Sequence, residues 1–256
     1  MILAIPSMFP RADRTRQYDP AVFGNECETW RSTYTEKKPG MPQVLLVEQS
    51  PRAELLAHYH ASDQFQIFIE GAGRLGKHDL KPVSVHYTNS YTGYGPIMAN
   101  EGGIQYFVLR PSFDVLGLGQ YLHKPELREK LREHPGGKRV LMADVEPKSA
   151  SQLEALRGAS VNRLFAVERG APDEGLLAEV LELGPGARYT APDPKQGGGQ
   201  VILVLAGTLV HEARDLGVRS AVTVTRDEHA VEFEAGRQGL QALVLQYPKR
   251  TESEDA

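Results

Sequence analysis

The chain says one thing twice. From Gln64 it reads QFQIFIEGAGRLG and from Gln200 it reads QVILVLAGTLVHE, each a glutamine, a run of strand-forming residues and a glycine seven positions on. Gly207 lies 136 positions beyond Gly71, and the same offset carries Gly103, Gln105, Val108 and Leu109 of GIQYFVLRP onto Gly239, Gln241, Val244 and Leu245 of GLQALVLQYP. One offset held without a gap over roughly 45 residues argues for a duplicated structural unit. With 256 residues the chain has room for two units of ordinary domain size.

Each copy is built from short runs of Val, Ile, Leu, Phe and Tyr broken by Gly, Pro, Asn and Asp, the signature of strands and turns. Val83 to Thr88 alternates apolar and polar residues, and Ala221 to Thr225 does the same in the second copy. Such a period of two is that of a strand whose faces meet different surroundings. Gly71 and Gly207 read as turn residues. Helices are few. Pro125 to His134 has proline in its first turn, Leu127 and Leu131 one turn apart and a His-Pro-Gly-Gly stop. Ser149 to Gly158 has Ser149 and Gln152 spaced as a capping box, with Gly158 as terminator. The expected organisation is an N-terminal arm over 1–40, too rich in proline and charge for a core element, then a first unit over 41–118. A helical linker over 119–159, a second unit over 160–250 and a disordered TESEDA tail over 251–256 follow.

Composition excludes several function classes. A hydrophobic share of 41% with 24% charged residues suits a protein that buries a core. The net charge is -4 and the 29 basic residues form no stripe, so there is no electrostatic footprint for nucleic acid. Cys27 is the single cysteine and cannot form an internal bridge. No signal peptide and no apolar run long enough to span a membrane is visible, which makes a cytoplasmic protein the expectation.

The chemistry concentrates just before the first glutamine, at His58-Tyr59-His60. Residues two apart on a strand share a face, roughly 6 to 7 Å apart, so both imidazoles can converge on one ion while Tyr59 points away. With Gln64 and Gly71 the pattern is H-x-H-x3-Q-x6-G.

This pattern resembles the first motif of the cupin superfamily, G-x5-H-x-H-x3-4-E-x6-G, and the resemblance covers both halves of the chain. It implies an all-β protein, a bicupin of two jelly-roll-like β-barrels joined by a short helical linker. It also implies an interior divalent transition metal held by His58 and His60, with Gln64 at the position of the family's glutamate and a histidine from a second motif. The departures are specific. Arg52 stands at the opening glycine, and Gln64 brings no charge to a cation. If Gly93 and Asn100 belong to the second motif, Tyr91 and Pro96 replace its proline and histidine. His86 or Tyr94 can fill the vacant place, and the sequence does not choose between them. Opposite His58 and His60 the second copy has Pro194 and Gln196, so any metal belongs to the first copy.

Two functions follow as expectations. One is a metal-dependent enzyme acting on a small polar organic molecule, with His86 or Tyr94 as the proton-transfer group. The other is a non-catalytic small-molecule binder without metal, its histidines hydrogen-bonded in a polar barrel mouth. In that case Gln64, recurring as Gln200, is architectural. The expected partner is a small-molecule ligand, with no nucleic acid and no membrane, and the fold leaves room for a homodimer.

Overall fold

The computed structural model describes residues 1–17, 28–114, 119–129, 131 and 137–250. Cys27, the end of the expected Pro125–His134 helix and the TESEDA tail lie outside them. The described residues are overwhelmingly antiparallel β-structure.

The chain divides into one unit of Pro10–Glu146 and another of Met1–Phe9 with Pro147–Ala256. The first is a nine-stranded sheet. Its main path runs Val140–Asp144, Ser84–Thr88, Gln64–Leu75, Ile97–Arg110, Gln43–Gln49, Thr29–Thr33, Thr15–Gln17, with Glu54–Leu55 and His78–Leu80 pairing off it. The second is an eight-stranded sheet in the order Ile2–Ile5, Ala221–Val224, Gln200–His211, Glu232–Gln246, Leu177–Leu183, Ala159–Ala166, with Arg188–Thr190 and Arg214–Leu216 off the path. From the second to the sixth strand the two paths match copy for copy.

The repeat is also a repeat of geometry. Gln66 pairs with His86 and with Val108, and 136 positions on Ile202 pairs with Val222 and with Val244. Gly71 and Gly207 have φ of 78° and 75°, in the left-handed region that favours glycine, and each sits where the register of its ladder shifts. A Cβ on Gly71 would stand 2.1 Å from the carbonyl oxygen of Gly103, and one on Gly207 the same 2.1 Å from that of Gly239. These glycines do more than turn the chain, because they let two backbones touch at a bulge.

The first 40 residues are not confined to an arm. Ile2–Ile5 extends the eight-stranded sheet, Thr15–Gln17 and Thr29–Thr33 extend the nine-stranded one, and Met8 is fully buried. Backbone hydrogen bonding to an existing edge carries a strand there despite the local proline content. The helices are shorter than expected. Pro125–Arg128 is a single turn, and Ala150–Ala155 ends at Leu156, although Ser149 and Gln152 do form the capping box.

Alternation along Ser84–Thr88 does not mean one wet face, since all five residues are buried. Ser84, His86 and Thr88 share a face with Gln64 and Gln66 across the ladder, while Val85 and Tyr87 face the other way with Ile67 and Phe65. The polar face is therefore internal, and it meets the cluster of Leu45, Val47, Phe68, Tyr94, Tyr106 and Val108. The matching face of the other unit is aliphatic over Leu181, Ile202, Val204, Val222, Ala242 and Val244, with the buried pair Gln200 and Gln246 at its end.

Candidate functional site

At Gln66, His86 and Thr88 the nine-stranded unit carries buried polar side chains where its counterpart carries Ile202, Val222 and Val224. His58 and Tyr59 form a short strand that pairs with Gln120–Tyr121. It is fastened on its other side by backbone hydrogen bonds, His58 N–H to the Tyr94 carbonyl and Tyr94 N–H to the His58 carbonyl, both 3.0 Å. Tyr91 N–H donates to the carbonyl of His60 at 2.7 Å. Gly119 packs on the His58 ring so closely that a Cβ there would lie 2.4 Å from Cδ2. Tyr59 looks away and donates from its hydroxyl to the Leu127 carbonyl at 2.8 Å.

The backbone thus turns both histidines inward. His58 is 2% exposed, His60 5%, and Gln64 and His86 are wholly buried. The rings of His58 and His60 lie edge to face with centroids 5.2 Å apart. Tyr94 stands among the imidazoles, its ring 4.6 Å from His58, 6.5 Å from His60 and 5.2 Å from His86.

Hydrogen bonding fixes the tautomers. His58 Nδ1 lies 2.7 Å from the Leu56 carbonyl, which can only accept, so Nδ1 carries the proton and Nε2 the lone pair. The Tyr94 hydroxyl donates to that lone pair at 2.8 Å. His60 Nδ1 donates to Asp114 at 2.5 Å, and His86 Nδ1 donates to Gln66 Oε1 at 2.8 Å. Nε2 of His86 is buried without a hydrogen-bond partner among the described residues. Burial, the dominant cause, pushes the His58 pKa down to about 4 and that of His86 to about 3. Burial also holds His60 well below the ordinary imidazole value, with the charge of Arg110 acting in the same direction. All three are neutral at pH 7. Burial pushes the Tyr94 phenol up to about 12, so it keeps its proton.

Sequence reasoning missed a buried ion pair in the same interior. Arg110, 4% exposed, donates from Nε and Nη2 to Gln64 Oε1 at 3.1 and 3.0 Å and from Nη1 to Gln43 Oε1 at 2.5 Å. Its Nη1 is 3.8 Å from the carboxylate of Asp114, the same carboxylate that accepts from His60. The available signal was Arg110 ending the apolar run FVLR at the position matched by Gln246. A charge at the end of a strand reads as surface unless its neighbours are known.

Among the expected site residues, His58, His60, Gln64 and Tyr94 come together, with His86 beside Tyr94. Gln64 has both ends of its amide engaged: Oε1 accepts from Arg110 and Nε2 donates to the Tyr94 hydroxyl at 2.5 Å. The arrangement gives Gln64 the part of a bridge between Arg110 and Tyr94. Gln200 meets its own counterpart of Arg110 in the opposite sense, donating from Nε2 to Gln246 Oε1 at 2.8 Å and to the Pro192 carbonyl at 2.7 Å. Among the described residues no group of three or more His, Cys, Asp or Glu side chains is arranged to hold an ion. The individual imidazoles nonetheless fit one. They are neutral, their Nδ1–H groups are anchored as in metal-bound histidines, and Nε2 is the remaining acceptor on each, that of His58 being taken by the Tyr94 hydroxyl, which an ion would have to displace.

No protein-family model matches the sequence, and no curated protein matches it. Solved structures do share its fold. A candidate dioxygenase from Nostoc punctiforme is similar over 98% of this chain and 81% of its own, with a TM-score of 0.61 and 13% identity. Oxalate decarboxylase from Bacillus subtilis is similar over 97% of this chain and 76% of its own, with a TM-score of 0.59 and 12% identity. A further structure of that decarboxylase, which has Mn(II) centres, has a TM-score of 0.56 at 12% identity. These likenesses establish a cupin-type β fold. No helix among the described residues is long and apolar enough to cross a membrane.

Proposed function

We propose that the chain is a bicupin whose nine-stranded unit is the working half, and that its interior binds a small polar organic molecule at a divalent transition metal taken up by His58 and His60. The observation that carries this reading is the pair of anchored Nδ1–H groups, His58 on the Leu56 carbonyl and His60 on Asp114, which leaves each Nε2 as the acceptor. The manganese of the oxalate decarboxylase that shares the fold makes a divalent ion the first to try. Such an ion supplies Lewis acidity. The chain's own residues supply the rest. Asp114 orients His60, Gln64 holds Arg110 in place, and Tyr94, whose hydroxyl an ion on His58 would displace from Nε2, would keep its proton free to donate to the bound molecule. The second unit, aliphatic at the corresponding face, is structural with respect to this chemistry.

A metal-free binder is the second reading, and Arg110 favours it. A buried guanidinium already puts positive charge beside the histidines and opposes a second cation. Metal content separates the two readings. Protein purified without an affinity tag is analysed for transition metals, then titrated with Mn(II), Fe(II), Ni(II) and Zn(II) while its melting temperature is followed. Bound metal, or a melting temperature raised in the native chain and not in His58→Ala/His60→Ala, supports the first reading. No metal and no shift with any of the four leaves the second.

A further inference from the structure

The eight-stranded unit carries a cleft of about 520 Å³ that has no part in the histidine site. It is bordered by three cationic side chains, Arg163, Arg169 and Lys249, and by one carboxylate, Glu174. Arg163 shares its charge with Glu179 at 2.9 Å and Lys249 shares its own with Glu174 at 3.2 Å. Arg169 makes no hydrogen bond among the described residues; the Gly170 N–H, Lys249 and the charge of Arg169 together hold the Glu174 carboxyl below its ordinary range. The cleft therefore has a positive balance on a chain whose net charge is -4, and a local field of this kind draws in small anions.

The lining is built to stay in place. Gln246 is tied at both ends of its amide, donating to the Gly175 carbonyl at 2.7 Å and accepting from Gln200 at 2.8 Å. Behind it, Gln200 Oε1 is buried with no partner among the described residues. Gly175, at φ 87°, lets the chain pass so near its neighbour that a Cβ would lie 2.2 Å from the Gln196 carbonyl oxygen. Leu176 and Leu177, both buried, give the lining an apolar portion against which the carbon skeleton of a ligand can rest. Gln196 and Gln246 hold the sequence positions that His60 and Arg110 hold in the other copy.

We propose that this cleft binds a small organic anion, its oxyanion group met by Arg169 and its uncharged part by the leucines. A carboxylate and a phosphate ester present the same bidentate oxygens to a guanidinium, and the two are distinguished by probe. The test uses the full chain, with malonate and inorganic phosphate as separate probes at constant ionic strength. Heat of binding is followed, with the amide chemical shifts of Gly175, in the lining, and of Gly197, which follows the lining residue Gln196 and whose Cα lies 3.0 Å from a would-be Cβ on Gly175. The variants are Arg169→Glu and, as a control, Arg188→Glu, a residue of the same unit whose side chain is 83% exposed and outside the cleft. At least one probe is expected to bind saturably with shifts at those glycines, and Arg169→Glu to weaken it about tenfold or more while Arg188→Glu leaves it unchanged. Tighter binding of malonate assigns the group as a carboxylate, and tighter binding of phosphate as a phosphate. No saturable binding of either probe, binding that survives Arg169→Glu, or equal weakening by Arg188→Glu overturns the proposal.

Discussion

The hydroxyl of Tyr94 lies 2.8 Å from Nε2 of His58 and accepts from the amide of Gln64 on its other side, so one buried oxygen joins the histidine pair to the guanidinium of Arg110. Phenylalanine would keep the ring and its contacts with His58 and His86 but leave a buried acceptor and a buried donor short of a partner. Tyr94→Phe is accordingly expected to lower the unfolding free energy by about 1–3 kcal/mol. Urea denaturation of metal-free protein measures it. An unchanged midpoint would mean that this oxygen holds nothing together.

The backbone contacts at the bulges give a second test, which also probes the repeat. Alanine at Gly71 or Gly207 meets a carbonyl oxygen at 2.1 Å as well as an unfavourable φ, whereas Gly40, at φ 76°, has nothing within 4 Å of its would-be Cβ. Gly40→Ala is expected to cost about 1 kcal/mol for the conformation alone. Gly71→Ala and Gly207→Ala should each cost roughly 2–4 kcal/mol, the added part coming from the clash. Equal costs at all three positions would deny the close approach.

Gln66 and His86 are the polar version of a pair that the other unit makes from Ile202 and Val222. Replacing both polar partners by apolar residues of similar combined volume removes a buried unpaired nitrogen without opening a cavity. Gln66→Ile/His86→Val should therefore be neutral or stabilising by about 1 kcal/mol, while His86→Val alone, which strands the Gln66 carbonyl, should destabilise by about 1–3 kcal/mol. Thermal melts of the three proteins decide it. A double variant less stable than the single one would show that the ladder does not tolerate the swap.

The fold was legible because it rests on spacing. The common offset of Gly71 and Gly207 survives any divergence that keeps two backbones in contact, and the alternation at Val83–Thr88 marks a strand regardless of what it faces. The pair at His58 and His60 was legible for the same reason, since a period of two on a strand already puts both rings on one side. What the sequence concealed depends on contacts made at long range. Arg110 meets Gln64 across 46 positions and Asp114 meets His60 across 54, and no local pattern says that a guanidinium at a strand end is buried. Gln64 as a bridge between Arg110 and Tyr94 could not be read for that reason, although its recurrence as Gln200 pointed to an architectural part. Ile2–Ile5 was hidden differently, because its partner strand, Ala221–Val224, comes more than 200 residues later.

Stability should fall in mild acid. His58 and His86 have folded pKa values of about 4 and about 3, against about 6.5 for an exposed imidazole in the unfolded chain. Above pH 6.5 neither state binds the proton and these residues contribute no pH dependence. Below it the unfolded chain takes up protons that the folded chain refuses, so stability drops as the pH goes from 6.5 towards 4, by about 3 kcal/mol for His58. Denaturation between pH 7.5 and 4.5 measures the slope. It should be shallower in Gln66→Ile/His86→Val, which lacks one of the two groups, and an identical slope would assign the acid sensitivity elsewhere.

The pair of Arg110 and Asp114 decides how firmly His60 is held. Asp114 is 1% exposed, and its carboxylate accepts from the His60 Nδ1–H at 2.5 Å and lies 3.8 Å from the guanidinium. Removing its charge leaves a cation inside the protein without that counter-charge, which typically costs about 3–5 kcal/mol. Asp114→Asn is expected to lose that much. The other copy, however, carries Gln246 at the matching position, where its Oε1 accepts from Gln200 instead of donating as Arg110 does to Gln64. Adding Arg110→Gln to Asp114→Asn removes the stranded charge and leaves a glutamine pair of the kind the fold already accommodates. The double variant should recover more than half of what the single one loses, read from denaturation midpoints at fixed pH. It should also bind Ni(II) or Mn(II) differently from the native chain, because the His60 anchor and the opposing cation disappear together. If the double variant is as unstable as Asp114→Asn, the carboxylate acts mainly by orienting His60 and not by neutralising Arg110.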